Sequence, residues 1–128
     1  MITIYGDIKA KKNNKQIIMC KGRPMLIPSA NHKKWHKQAL SRLKMAQIVR
    51  YEVPCEVEIT FYKQTARRYD LSNIAESVMD LLVDAEILVD DNVLYVPRLI
   101  LNYGEKDKDN PRAEVSIRPI EDDYEFIR

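Results

Sequence analysis

Glycine, cysteine and long apolar runs are what this chain of 128 residues has least of, with three glycines and two cysteines. Gly6, Gly22 and Gly104 fall in no phosphate-cradling loop, so neither a P-loop nor a dinucleotide fingerprint is present. Cys20 and Cys55 make no disulfide framework and lack the close pairing of a zinc motif; both are expected as free, buried thiols. No Cys or Ser sits in a recognisable nucleophile motif, and His32 and His36 share one helix with no acid partner near in sequence. No segment approaches the roughly 20 apolar residues that span a bilayer. The first residues, Met1-Ile2-Thr3-Ile4-Tyr5, lack the basic segment and apolar stretch of a signal peptide. A cytoplasmic protein without a membrane partner is the expectation.

Charge is present in quantity and is unevenly divided. The net charge is only +2, yet residues 1–50 carry twelve Lys or Arg against a single acid, Asp7, a net of +11. Residues 51–128 carry nine basic and eighteen acidic residues, a net of −9. A basic half beside an acidic half suggests a phosphate-binding surface next to a metal-binding one. The plainer reading is that the halves neutralise each other across the fold or in a dimer.

The length suits one domain over residues 1–128, with an acidic tail from 119. Residues 2–9 alternate loosely as a first strand, and Gln16–Met19 and Met25–Ile27 flank a basic hairpin tip, Lys21-Gly22-Arg23-Pro24. Ser29 is placed to cap a helix over 30–46 whose stripe is Trp35, Ala39, Leu43 and Ala46, widened by Leu40. Cys55 to Phe61 alternates without a break, which predicts a strand. Asp70 stands as N-cap of a second helix to about 84, with Ile74, Val78, Leu81, Leu82 and Ala85 inward. Residues 93–103 form a β-rich run that Pro97 restricts to an edge, a bulge or a strand start. Residues 104–111 read as a charged hairpin loop and 113–117 as the last strand. These elements predict an α+β fold: a small mixed, mainly antiparallel sheet with two principal helices.

The chemistry concentrates in one segment. Arg67-Arg68-Tyr69-Asp70-Leu71-Ser72-Asn73 opens the second helix, and Asp90-Asp91-Asn92 follows it. Carboxylates are the oxygen ligands that hard cations such as Mg2+ take, and arginines beside them suit a phosphate backbone. Metal-assisted cleavage of a nucleic-acid phosphodiester is therefore the first reading. It carries a geometric condition, because the ends of a helix of about 14 residues lie roughly 20 Å apart at 1.5 Å per residue. Asp70 and Asp91 approach each other only if residues 86–91 fold back along the helix. The competing reading takes Asp70 as a cap and Asp91-Asn92 as an ordinary turn.

Asp70-Leu71-Ser72-Asn73, then Asp80, Leu82, Ala85 and the pair Asp90-Asp91, resemble the signature of the RusA family of Holliday-junction resolvases. Pro28-Ser29-Ala30-Asn31-His32 resembles that family's N-terminal half; the similarity is loose over 5–118 and close over 67–92. The resemblance implies an α+β, homodimeric, magnesium-dependent endonuclease, with Mn2+ able to substitute, that cuts four-way DNA junctions by paired symmetric nicks. Asp70 and Asp91 match its metal-binding catalytic aspartates, Asp90 the preceding acid, expected as a further metal ligand or an outer partner of the metal, and Asn73 the motif's asparagine. Two positions depart: Ser72 stands where the family has a second aspartate, and Glu76 where it has a lysine. Residues 72 and 76 are i, i+4 neighbours, so Glu76 is expected to take over as catalytic and metal-binding residue, with Ser72 and Asn73 in support. Arg67, Arg68 or a lysine of the basic half would supply the lost positive charge. Lys11, Lys12, Lys15, Lys21, Arg23, Lys33, Lys34 and Lys37 are expected on DNA phosphates, positioning and not reading sequence. The alternative these departures leave is a branched-DNA-binding protein of the same fold that no longer cuts. A further rival is an RNA or flap nuclease with the same metal chemistry.

Overall fold

A computed structural model of the protein describes residues 1–10, 15–28 and 30–120, with the backbone alone at 15–18, 20 and 25–28. The expected basic turn at 11–14, the Ser29 cap and the tail from 121 lie outside the described residues.

The strand with an unbroken alternation, β4 (Cys55–Tyr62), takes an interior place, and its inward residues Val57, Ile59 and Phe61 are fully buried. Antiparallel to it runs β6 (Arg112–Pro119), which pairs on its other side with β1 (Ile2–Tyr5). On the opposite flank β4 pairs in parallel with β5 (Arg98–Tyr103), giving a mixed four-stranded sheet in the order β1-β6-β4-β5. The expected first strand is shorter than 2–9, because Gly6 leaves it with φ +96°. Pro97 immediately precedes β5, so the apolar run before it, Val93–Val96, is turn and not strand. Nor is 104–111 a hairpin loop: β5 and β6 are separated by β4, and this segment crosses over it.

A two-stranded hairpin stands apart, formed by β2 (Lys15–Cys20) and β3 (Arg23–Pro28). Its two-residue turn, Lys21-Gly22, has φ +51° and +77°, the positive pair that matches the twist of the strands it joins.

Both helices pack on the face of the sheet carrying Val57, Ile59 and Phe61. Helix α1 (Ala30–Met45) buries His32, Trp35, Ala39 and Leu43. Ala46 falls past its end and is exposed, because Gln47 at φ +51° turns the chain out of the helix. Helix α2 (Leu71–Asp84) buries Ile74, Ala75, Ser77, Val78, Met79, Leu81 and Leu82, so β4, α2 and β5 make a βαβ unit. Polar cross-ties hold the other sheet face: Glu56, nearly buried, lies between Arg98 (3.2 Å) and Arg118, one from each neighbouring strand. Cys55 is a buried free thiol, raised by that burial above its ordinary pKa.

Candidate functional site

The first acid is presented by the start of α2. Asp70 occupies the N-cap position with extended backbone (φ −93°, ψ 124°), and its carbonyl accepts from the Asn73 and Ile74 N–H groups at 3.1 and 3.4 Å. Its side chain, however, makes no capping hydrogen bond. The carboxylate instead accepts from Asn73 Nδ2 at 3.3 Å and stays exposed. The residue before it explains this orientation. Tyr69 is turned inward, its ring edge-on to Tyr103 at 5.9 Å and 5.5 Å from Lys63 Nζ. Burial pushes its phenol up to about 12. In an extended segment neighbouring side chains point to opposite sides, so an inward Tyr69 leaves Asp70 facing out.

The second acid arrives by a reversal of the chain. Glu86, at φ +60°, ends α2, and the Ile87 and Leu88 N–H groups both donate to the Leu82 carbonyl at 3.0 and 3.2 Å. Ile87 and Leu88 are buried, and the Ile87 carbonyl accepts from Tyr51 N–H at 2.8 Å. The next turn is built by its own polar residues. Asp90 accepts from the Asp91 N–H (2.8 Å) and Asn92 Nδ2 (3.0 Å), while Asn92 Oδ1 accepts from Leu94 N–H (2.9 Å).

Asp91 thereby comes to lie where two clefts meet. One, of about 250 Å³, is lined by Ser72, Glu76 and Asp91 against Met79, Val96, Leu99 and Leu101. The other, of about 570 Å³, runs between α1 and α2 and sets Asp80, Asp84, Asp90 and Asp91 opposite Lys33, His36 and Lys37. Desolvation raises the Asp91 pKa first, followed by its hydrogen bond with Asp90 and the charges of Asp90 and Asp80, against one opposing backbone hydrogen bond. Among the described residues no lysine or arginine forms an ion pair with Asp70, Glu76, Asp90 or Asp91.

Residues 86–91 do fold back along α2, so that Asp91 shares a cleft with Ser72 and Glu76, but Asp70 is not among the residues lining either cleft. Yet among the described residues no three His, Cys, Asp or Glu side chains stand ready to hold a metal ion together. Asp70, Glu76, Asp90 and Asp91 do not form a preformed cage, and Asp90 has both oxygens engaged in its own turn. The donors are nonetheless all oxygen, and Mg2+ commonly takes one or two carboxylates, keeps several waters and adds substrate phosphate. Of the cations, Lys33 and Lys37 face the larger cleft, while Lys34 lies on the other side of α1. Lys21 and Arg23 are exposed at the hairpin tip, and Arg67 and Arg68 are exposed just before Asp70. Lys11 and Lys12 lie outside the described residues, as does the side chain of Lys15.

Three cleft residues were not singled out as site residues from sequence. Asp80 had a signal, since it follows Glu76 by four on the same helix. His36 and Asp84 had none: the imidazole Nε2 meets Asp84 Oδ2 at 2.8 Å across the two helices, 48 residues apart.

An α+β domain with an acidic helix-and-loop edge facing a lysine-bearing helix defines a scaffold suited to phosphodiester chemistry. The family model described as Endodeoxyribonuclease RusA matches residues 7–118, and the chain belongs to that family. Membership implies an endonuclease of Holliday junctions, acting on branched DNA. None of the curated proteins matches the chain. Among the described residues no helix is long and apolar enough to cross a membrane.

Proposed function

We propose that this protein is a magnesium-dependent endodeoxyribonuclease that resolves four-way DNA junctions by paired, symmetric nicks as a homodimer. The observation that carries the reading is the position of Asp91, an unneutralised carboxylate sharing one cleft with Glu76 and another with Lys33 and Lys37. Asp91, Glu76 and Asp70 would hold the metal, with Mn2+ a workable substitute, and Asp90 would fix the turn that presents Asp91. When bound, such an ion lowers the pKa of a water and polarises a phosphoryl oxygen. Lys33 and Lys37 hold the strand's phosphates against the acidic wall, and Arg67 and Arg68 do the same beside Asp70. Ser72 leaves room in the cleft that an aspartate would have filled, and Glu76 reaches toward it from one turn further on.

A four-way junction has twofold symmetry, which a C2 dimer matches with two sites. Exposed Val93, Leu94 and Leu99, flanking Pro97 at the β5 edge, are the apolar surface we assign to that contact. The second reading, a branched-DNA binder that no longer cuts, is favoured by Ser72 and Glu76 and by the lack of a preformed three-ligand cluster among the described residues. One experiment separates the two. Wild-type protein and its Asp70→Asn and Asp91→Asn variants are incubated with synthetic four-way, Y-shaped and single-stranded DNA and Mg2+ or Mn2+. Junction-selective paired nicks by the wild type, lost in both variants with binding retained, are expected. Binding without any nick by the wild type selects the second reading.

A further inference from the structure

Helix α1 has two flanks, and only one of them faces the acids. Residues 33, 36, 37 and 40 line the cleft toward α2, whereas residues 31, 34, 35, 38 and 42 line a separate groove of about 430 Å³ against the Tyr5–Lys9 segment. At 3.6 residues per turn these two sets fall on opposite sides of the helix. We propose that this second groove is a binding site for a DNA phosphodiester, distinct from the cleft of Asp91; the identity of the ligand rests on the nucleic-acid reading above.

Charge and hydrogen-bonding capacity point to an anion that only accepts. Lys34 and Arg42 line the groove and form no ion pair among the described residues. The acid at its rim, Asp7, is already engaged by Lys63 (3.3 Å), Lys9 (3.6 Å) and the Gln64 N–H (2.9 Å). Asn31 and Gln38 add amide donors. At the floor lies Trp35, only 8% exposed, whose indole Nε1 is buried with no hydrogen-bond partner among the described residues. Indole offers a donor and no acceptor, and so do lysine and arginine. A phosphate, with several acceptor oxygens and a negative charge, suits the two cations and the amide donors directly, whereas Trp35 Nε1, which has no exposed surface, is reached only if the ring turns outward. Gly6 passes over Trp35 with a φ of +96°, a backbone conformation that suits glycine.

The consequence is a ridge with a phosphate site on each flank. A helix with its side chains is about 10–12 Å across, which is about the width of a B-DNA major groove. Helix α1 would therefore engage one phosphate-bearing strand in the acidic cleft and a second behind it.

Trp35 is the only tryptophan in the chain, so its fluorescence reports on helix α1; because the ring also meets His36 of the other cleft at 6.1 Å, the groove variants below assign the signal to one flank. The full-length protein, without divalent metal, is titrated with inorganic phosphate, a short duplex and a four-way junction, and the emission is followed. DNA is expected to change it, and phosphate alone to do so at far higher concentration. The double variant Lys34→Ala/Arg42→Ala should bind DNA at least about tenfold more weakly and lower the slope of log K against log salt by about two, one per lost phosphate contact. Lys44→Ala, on the same helix and outside the groove, should leave both unchanged. An emission that ignores DNA the protein demonstrably binds, or a double variant with unaltered salt slope, overturns the proposal. Emission that responds to DNA in a protein that never nicks supports the groove while removing the nuclease reading, so the two fail separately.

Discussion

Asp91 is more costly to the fold than an ordinary surface aspartate. Its raised pKa means that the folded chain holds the proton to higher pH than the unfolded chain does. The penalty is absent below the unfolded pKa, about 3.9, and grows as pH rises through the folded value. Asp91→Asn should therefore raise the melting temperature of the metal-free protein at neutral pH, while lowering nicking by more than roughly 100-fold, the upper range for a mere outer partner of a metal. Thermal melts and nicking assays on the same preparation check both. None of this perturbation was visible in sequence beyond the adjacency of Asp90, because the Asp80 charge and the partial desolvation of a carboxylate that remains exposed come from the return of the loop. Asp70 was read as the N-cap of the second helix and holds that position, but its carboxylate makes no capping hydrogen bond and stays exposed, because Tyr69 takes the inward direction.

At the level of elements, the β4–α2–β5 unit fixes where the acids stand. Leu82 is fully buried, and its carbonyl accepts the two N–H groups that turn the chain back toward Asp91. Leu82→Ala should cost about 2–5 kcal/mol in denaturant unfolding. Gly104 donates to the Phe61 carbonyl at 2.9 Å, and a Cβ on it would meet that oxygen at 2.8 Å. Gly104→Ala should therefore destabilise by about 1–3 kcal/mol through forced backbone movement. Glu56 acts with the opposite sign to Asp91. Hydrogen bonds from Arg118 and Arg98 hold its pKa below the ordinary range. Its contribution is present above the unfolded pKa and lost as pH falls through the folded one, so Glu56→Gln should lower the melting temperature at pH 7 and differ little from wild type at pH 3. The individual strands and helices were legible from periodicity, Cys55–Phe61 above all. Their arrangement was less so: a local pattern says that 104–111 is a polar connection and is silent on whether β4 stands between the strands it joins.

Across the whole molecule, the two charge halves of the sequence do become facing surfaces in one cleft, Lys33 and Lys37 against Asp80, Asp90 and Asp91. The family and fold class were legible from the 67–92 segment because its acids recur at fixed distances. The pairing of His36 with Asp84 and the groove behind α1 were not, since both join residues remote in the chain. Sedimentation should find a dimer, and Val93→Glu with Leu94→Glu, both outside the Asp91 cleft, should shift it to monomer and replace paired cuts by single nicks. Junction affinity should fall steeply with salt, as binding through phosphates requires.

The most direct test of the central claim is the anomalous difference density of Mn2+ in crystals of the protein soaked with that ion. The account predicts a peak at about 2.0–2.3 Å from an Asp91 carboxylate oxygen, on the side facing Glu76 and Asp70. Crystals that take up Mn2+ elsewhere and show no peak beside Asp91 would contradict it.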